Sequence, residues 1–199
     1  MQLNSRQPQQ GFTLVEVMVT VFVVAIGLLS AAALQVVSKK AAFDAMQRTT
    51  ASVVAQDMLE RIRGNPTQLG GYGGQTVNSA NVPATPSCGS SSDCTEAALV
   101  GYDLHRWWQS LDGVSEQIAN GNGTSSGGGL RSPTGCIRRS GTQVEVIIAW
   151  RGMSLIQQGD PDNADDPTND SCGATLADYE PSGGNSYRRV LRLQAHIGS

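Results

Sequence analysis

The apolar residues of this chain are concentrated in one run near its N-terminus. Residues 1–11 form a short polar leader, and Glu16 is the only charged residue in positions 12–37. A run of about 26 residues is long enough to cross the roughly 30 Å hydrocarbon core of a bilayer. The pattern therefore predicts a membrane segment that begins at Phe12.

A helical period continues beyond this run. From residue 43 to residue 62, apolar positions recur at spacings of three and four, and polar side chains largely occupy other faces. No proline interrupts the stretch, and Gly64 followed by Pro66 is typical of a helix end. We therefore expect one helix of roughly 50 residues, about 75–80 Å long, that ends near Arg63. The predicted apolar stripe is Phe43, Met46, Thr50, Val54, Met58 and Ile62, and the predicted polar positions are Lys39, Lys40, Asp44, Gln47, Arg48, Asp57 and Arg61.

Three interpretations of the membrane segment compete. A cleaved signal peptide, cut after the alanines at 31–33, conflicts with an apolar run longer than the usual roughly 7–15 residues. A plain signal anchor would leave the N-terminus cytoplasmic, and the positive-inside rule does not decide this because basic residues flank both ends. The third interpretation is cleavage after Gly11, which would explain why a carboxylate lies at position 16. A carboxylate costs about 2.5–3.5 kcal/mol at the bilayer centre, and a free amine on Phe12 would be its partner.

The middle of the chain alternates between loop and helix signals. Residues 68–92 are rich in Gly, Ser, Thr, Asn and Pro, which predicts a long loop, and their glycines do not match a phosphate-binding loop. A second helix is predicted over residues 97–111, with Asp93 as its N-cap and Glu96 completing a capping box. Its expected apolar face is Leu99, Leu104, Trp107, Trp108 and Leu111.

The last third of the chain carries strand signals. Residues 112–133 are expected to form another loop, followed by strands over 135–139, 143–150 and 187–197 with a turn at 140–142. Three antiparallel strands are about the minimum sheet that can pack on the long helix.

Residues 159–184, between the second and third of these strands, are acidic and raise the possibility of a calcium site at 160–166. That segment lacks the EF-hand glycine and glutamate, so we favour a solvated loop.

Composition and cysteine usage indicate a small, loop-rich domain in an oxidising compartment. The net charge of −3, with basic residues clustered no further than in pairs, does not favour nucleic-acid binding. Four cysteines in a polar domain indicate two disulfides, and no C-x-x-C pair supports zinc. Of three possible connectivities, proximity along the chain favours Cys88 with Cys94 and Cys136 with Cys172.

No catalytic residue, metal site or cofactor is predicted. The sequence contains no recognisable nucleophile motif or paired general acid and base. We expect His105 and His196 to be structural or exposed, and Trp107 and Trp108 to be core residues.

Residues 11–16 (Gly-Phe-Thr-Leu-Val-Glu), preceded by a short polar leader, resemble the class III signal of type IV prepilins and related pseudopilins. In that family a prepilin peptidase cuts after the glycine and methylates the new terminal amine. The resemblance therefore implies that Gly11 is the cleavage-site residue, Phe12 the N-methylated terminus and Glu16 the carboxylate that pairs with a neighbouring subunit's amine during assembly.

A second resemblance lies far from the first. Residues 103–111 (Asp-Leu-His-Arg-Trp-Trp-Gln-Ser-Leu) are similar to the Asp-Leu-x-x-Trp-x-x-x-Leu segment of minor pilins of the PilV kind. Many major pilins carry a proline in the long helix, and its absence here also points to a minor component.

Together these features imply an α+β, pilin-like fold. In it, a long N-terminal helix packs on a small antiparallel sheet, with a short second helix and two disulfides. The expected organisation is a leader (1–11), a membrane segment (12–37), an amphipathic half of the same helix (38–63) and a periplasmic domain (64–199).

The implied function is that of a minor pilin in type IV pilus assembly and pilus-dependent motility or adhesion in a Gram-negative bacterium. The implied partners are other minor and major pilins, the prepilin peptidase and the inner membrane, and the final location is the pilus. A minor pseudopilin of a type II secretion system is the first alternative, and a signal-anchored periplasmic binding domain is the second.

The mass of the mature N-terminal peptide tests the interpretation of the leader. We expect a chain that begins at an N-methylated Phe12, because only cleavage after Gly11 creates an amine beside Glu16. Mass spectrometry of the purified protein would instead find a start near Gln35 for an ordinary signal peptide, or an intact Met1 for a plain anchor.

Overall fold

The computed structural model describes residues 11–88, 93–114, 117–120, 123–156, 163, 166–174, 176–179 and 185–198. The chain divides into two compact units, Met1–Ala42 and Phe43–Ser199. In the first unit, residues 11–13 are irregular, helix α1 begins at Leu14, and every described residue is exposed.

The second unit contains helices and an antiparallel sheet. The helices of the chain are α1 (Leu14–Gly64), α2 (Leu69–Tyr72) and α3 (Glu96–Asp112). The strands are β1 (Thr76–Val77), β2 (Gln117–Asn120), β3 (Gly123–Ser126), β4 (Thr134–Ser140), β5 (Gln143–Arg151) and β6 (Arg188–His196). Strands β1, β4, β5 and β6 form one sheet in that order, and β2 pairs with β3 in a separate hairpin. The predicted α+β class is confirmed.

Helix α1 ends where the sequence predicts, but by a different cap. Its last residue is Gly64, and Pro66 opens a 3-10 turn, Pro66–Gln68. Gly64 is not among the described residues with positive φ, so it does not form the left-handed glycine cap. The helix instead stops at Asn65, whose φ of −136° lies outside the helical range.

The buried face of α1 is rotated relative to the predicted stripe. Val54, Met58 and Ile62 are buried, whereas Met46, in the predicted apolar stripe, is 57% exposed. Phe43, also predicted in the stripe, is exposed as well. Gln47, predicted on a polar face, is buried at 3% exposure. The buried residues of α1 are Gln47, Ala51, Val54, Ala55, Met58, Leu59 and Ile62.

Gln47 is buried because its amide completes hydrogen bonds of a distant loop. Its Nε2 donates to the carbonyl of Gly129 over 3.2 Å, and its Oε1 accepts from the backbone N–H of Arg131 over 3.1 Å. A buried amide with both functions satisfied costs little, so a polar residue can face the core.

The four-stranded sheet separates two layers of packing. Val144, Val146, Ile148 and Trp150 alternate on the β5 face that joins the main core with α1 and α3. On the opposite face, Ile147 packs with Val190 and the Cys136–Cys172 disulfide. All three predicted strands are present, and β4 and β5 meet at a turn in which Gly141 has φ of 63°.

Several short elements lie in segments that the sequence predicts as loop. Helix α2 and strand β1 lie within residues 68–92, and the β2–β3 hairpin lies within residues 112–133. Strand β1 has only two residues, too few to show a period. The hairpin had a usable signal, because the Gly-Asn dipeptide at 121–122 is typical of two-residue turns.

Helix α3 begins close to the predicted position, with a different N-cap. The cap is Thr95, whose Oγ1 accepts from the N–H of Ala98 over 3.2 Å, so the assignment of Asp93 is wrong. Both disulfides form as chain proximity predicts, Cys88 with Cys94 and Cys136 with Cys172. The first bridge ends one residue before Thr95 and thus fixes the start of the helix.

The acidic segment is not a simple solvated loop. Among its described residues, Asp170, Cys172 and Tyr179 are buried. The proposed calcium ligands at 160–162 and 164–165 lie outside the described residues.

A close contact between Trp107 and Gly135 gives a stability prediction. A Cβ at Gly135 would lie 2.3 Å from Cη2 of the fully buried Trp107 ring. We expect Gly135→Ala to destabilise the chain by about 3 kcal/mol through overpacking. Combining it with Trp107→Phe, which shortens the ring, should cost less than the sum of the two changes. Urea unfolding of the detergent-solubilised chain in a double-mutant cycle measures this coupling.

Gly101→Ala in α3 is the matched control, because no atom lies within 4 Å of its added Cβ. It should be neutral or stabilising by up to about 1 kcal/mol. Equal costs for the two alanine variants would contradict the packing argument.

Candidate functional site

The junction at residues 11–16 forms the start of helix α1. Oγ1 of Thr13 accepts a hydrogen bond from the N–H of Glu16 over 3.3 Å, and the Thr13 carbonyl accepts from the N–H of Val17 over 3.2 Å. Thr13 therefore acts as the N-cap, a role that the sequence analysis missed. The Thr-x-x-Glu spacing of a capping box was the signal that could have found it.

The three predicted residues of the junction lie just before the helix and in its first turn. Gly11 and Phe12 precede the helix in irregular backbone, and Phe12 is 84% exposed. Glu16 lies in the first turn and is exposed. A negative charge at this position is favoured by the partial positive charge of the helix N-terminus.

The apolar part of α1 after Glu16 has the length, composition and internal hydrogen bonds that a membrane-spanning helix requires. By length and composition it could cross a membrane. Its two hydroxyl groups are satisfied within the helix: Thr20 donates to the carbonyl of Val17 and Ser30 to that of Ile26, over 2.8 and 2.9 Å. Hydroxyls bonded in this way expose no unpaired donor to hydrocarbon.

Within the second unit, α1 borders an open groove of about 590 Å³. Met46 and Val53 line it from α1, and both are more than half exposed. Gly127 and Gly128 line the opposite side without side chains. Polar and charged side chains line other parts of the groove, among them Thr49, Asp57 and Arg61. The groove is therefore amphipathic, with Met46 and Val53 as its exposed apolar residues.

The Asp-Leu-x-x-Trp segment of α3 joins that helix to α1. Nε1 of Trp107 donates to the carbonyl of Val54 over 3.1 Å. Asp103 accepts from the hydroxyl of Tyr72 over 2.6 Å and from Arg61 over 3.3 Å. Burial, reinforced by the bond to Asp103, raises the pKa of Tyr72 far above its ordinary value. Trp107 is a core residue, as predicted. The segment has a structural role, because its side chains hydrogen-bond α3 to α1 and to Tyr72.

The remaining predicted residues are structural or exposed. Nδ1 of His105 lies 3.1 Å from the carbonyl of Pro83, and its Nε2 lies 3.1 Å from Gln109. His196 is exposed at the end of β6. Across the described part of the chain, no group of three acidic, histidine or cysteine side chains could hold a metal ion.

A buried charge cluster fixes the acidic segment to the sheet. The guanidinium of Arg138 binds the Asp170 carboxylate in a bidentate manner, with hydrogen bonds of 2.7 and 2.8 Å. The N–H of Cys172 donates to the same carboxylate over 2.7 Å. Arg188, 2% exposed, donates to the carbonyls of Asp170 and Cys172 over 2.7 and 2.8 Å. Burial lowers the pKa of Arg188, although a guanidinium stays protonated.

The groups around Asp170 shift its titration. Burial alone would raise the pKa of Asp170, but the hydrogen bonds from Arg138 and the Cys172 amide outweigh it, and the pKa lies below its usual 3.8. In the same segment, burial raises the pKa of Tyr179 to about 12, and its hydroxyl donates to the Ser132 carbonyl over 3.0 Å. Both residues anchor the segment that carries Cys172.

The depressed pKa of Asp170 makes part of the stability dependent on pH. Because the folded pKa is below the unfolded value, this contribution is present above about pH 4 and is lost as the pH falls through the folded pKa. Asp170→Asn should cost about 2 kcal/mol at pH 7, a value reduced from that of a fully buried pair because Arg138 is 41% exposed. The cost should shrink towards pH 2.

Thermal unfolding of the detergent-solubilised chain at several pH values measures this difference. The exposed Asp178→Asn in the same segment is the control and should behave like the parent. A pH-independent cost for Asp170→Asn would contradict the electrostatic role.

Two family models match adjoining parts of the chain. Residues 6–32 match the prokaryotic N-terminal methylation motif, and residues 33–105 match the Tt1218-like family, described as type IV pilin Tt1218. No curated protein and no solved structure matches the chain. The matches cover the class III signal, α1 and the first part of α3, and the α+β architecture with two disulfides agrees with them. The two matches support a type IV pilin with a class III signal.

Proposed function

We propose that this pilin is a minor component, of the PilV kind, that takes part in the assembly or initiation of a type IV pilus in a Gram-negative bacterium. Pilus-dependent twitching motility or adhesion would depend on it. The proline-free helix α1 and the Asp-Leu-x-x-Trp segment of α3 support the minor role. The function is non-covalent packing and needs no catalytic residue or cofactor.

The proposed maturation begins with removal of residues 1–11. The prepilin peptidase cuts after Gly11 and methylates the amine of Phe12. The backbone at residues 11–13 is irregular and exposed, which suits a peptidase because cleavage needs a bond outside a helix. Thr13 then caps the helix of the mature chain.

Glu16 is proposed to set the position of the subunit in the filament. Its carboxylate is exposed one turn from Phe12, where the terminal amine of a neighbouring subunit can reach it. An unpaired carboxylate is costly among apolar helices, and a pair of opposite charges removes most of that cost. The requirement for pairing selects one axial register.

Before assembly, residues 12–37 hold the chain in the inner membrane and residues 38–63 form the lower half of the helix. Residues 64–199 form the periplasmic domain, where an oxidising compartment supports the two disulfides. Partners are other minor and major pilins.

The observation that carries the assembly role is the open groove beside α1. Met46 and Val53 lie in the folded unit, so their exposure is not explained by the need for a membrane-spanning surface. A groove of about 590 Å³ that combines Met46 and Val53 with the charged Asp57 and Arg61 can accept an amphipathic segment of another pilin. We infer that a partner subunit covers it in the assembled state.

Piliation of strains that carry single variants tests this function. Glu16→Ala should reduce incorporation because the neighbouring amine loses its partner. Val53→Asp should reduce it by about tenfold or more, because burying an unpaired carboxylate costs at least about 1.4 kcal/mol. Quantifying the chain in sheared pili, relative to its amount in the membrane, measures incorporation.

Glu60→Ala is the control for the first variant, because Glu60 is an exposed carboxylate on the same helix that pairs only locally with Arg63. Gln56→Asp, at an exposed position outside the groove, is the control for the second. Normal incorporation of Glu16→Ala and Val53→Asp would overturn the mechanism. Normal piliation with lost protein secretion would indicate a type II secretion pseudopilin instead.

A further inference from the structure

A short loop at residues 152–156 is fixed to the point where the chain enters the second unit. Asp44 accepts from the N–H of Met153 over 2.8 Å and from the hydroxyl of Ser154 over 2.9 Å. Arg189 bridges the two parts, because its Nη2 donates to the Ser154 carbonyl over 2.8 Å and to Asp44 over 3.3 Å. We refer to residues 152–156 as the Met153 loop.

The Met153 loop is also paired at both ends. The N–H groups of Gly152 and Ile156 donate to the carbonyls of Tyr187 and Ser186, each over 2.8 Å. A loop held by this many hydrogen bonds has a defined position, so the side chains that it exposes form a lasting surface feature.

That surface exposes two apolar side chains and one arginine. Leu155 is 64% exposed and Met153 is 37% exposed. The exposed Arg131 lies beside Met153, with its Nη1 3.6 Å from the sulfur. Among the residues that the structure describes, no carboxylate pairs with Arg131. Asp44 and Arg189 pair with each other, which leaves Arg131 as the charge at this surface among the described residues.

The connection to the apolar run limits how far this surface can be from a membrane. Only residues 38–42 separate Val37, the last residue of that run, from Phe43, the first residue of the second unit. Six residue steps span at most about 20 Å even when fully extended. Asp44, which holds the Met153 loop, immediately follows Phe43, so only a few residues connect the loop's attachment point to the apolar run.

We propose that the Met153 loop docks on the anionic phospholipid surface of the membrane that holds the apolar run. Met153 and Leu155 enter the boundary between headgroups and acyl chains, and Arg131 contacts lipid phosphate. The proposal rests on the membrane-anchored state of the proposed function and adds a second, reversible contact that orients the domain before assembly. A bilayer is present throughout that state.

Fluorescence of a Leu155→Trp variant of the full chain, reconstituted in vesicles, tests the docking. The native Trp107, Trp108 and Trp150 are at most 7% exposed and provide the baseline. The new tryptophan should be blue-shifted, and it should be quenched by lipids that carry a spin label near the headgroup. Quenching should be stronger in vesicles that contain phosphatidylglycerol than in phosphatidylcholine alone. Adding Arg131→Gln should lower the docked fraction by about fivefold, the effect of one cation near an anionic surface.

Val82→Trp is the matched control, because Val82 is 53% exposed and follows β1, at the opposite edge of the sheet from β6. It should remain unquenched. Met153→Trp repeats the measurement if Leu155→Trp does not fold.

Flotation of the vesicles separates this proposal from the anchor on which it rests. Chains that float while Trp at 155 stays unquenched would overturn the docking and leave the anchor intact. Equal quenching in both lipid mixtures, or no effect of Arg131→Gln, would overturn the assignment to anionic lipid. A blue shift that depends on protein concentration without lipid quenching would indicate a second copy of the chain instead. Failure to float would overturn the anchor and the docking together.

Discussion

Trp107 is the contact on which the second unit depends. Its ring is fully buried against Gly135 of β4, and its indole N–H donates to the Val54 carbonyl of α1. One side chain of α3 therefore links the long helix to the sheet. Because Gly135 has no Cβ, the ring can lie directly on the strand, and because the donor finds a partner, the indole is buried without an unpaired polar group.

The opposite face of the sheet is stabilised by charge and a disulfide instead of an extended apolar layer. Asp170 receives hydrogen bonds from Arg138 and the Cys172 amide, while Arg188 binds two backbone carbonyls of the same segment. The Cys136–Cys172 bridge closes this arrangement covalently. A segment with few apolar residues can be held in place in this way, since each buried charge is paired or hydrogen-bonded.

The exposed apolar residues of the second unit are consistent with a protein that contacts different partners before and after assembly. Met46 and Val53 on α1, and Leu155 on the Met153 loop, remain exposed although the core nearby is well packed. Apolar side chains on hydrogen-bonded, well-defined backbone are suited to contacts outside the chain. In the proposed function these contacts are lipid in the anchored state and neighbouring subunits in the filament.

The sequence by itself determined the α+β class, the long helix that ends at Gly64, the three main strands and the two disulfide pairs. These features follow from local periodicity, turn residues and proximity along the chain, which do not require knowledge of distant contacts. The tertiary structure decided which face of α1 is buried, because Gln47 is drawn inward by backbone groups more than 80 residues away. The choice of Thr95 over Asp93 as the cap of α3 was a local one, made by the hydrogen bond from the Ala98 N–H. The tertiary structure also decided that Asp170 is buried rather than solvated, because its ion pair with Arg138, 32 residues away, outweighs local preference.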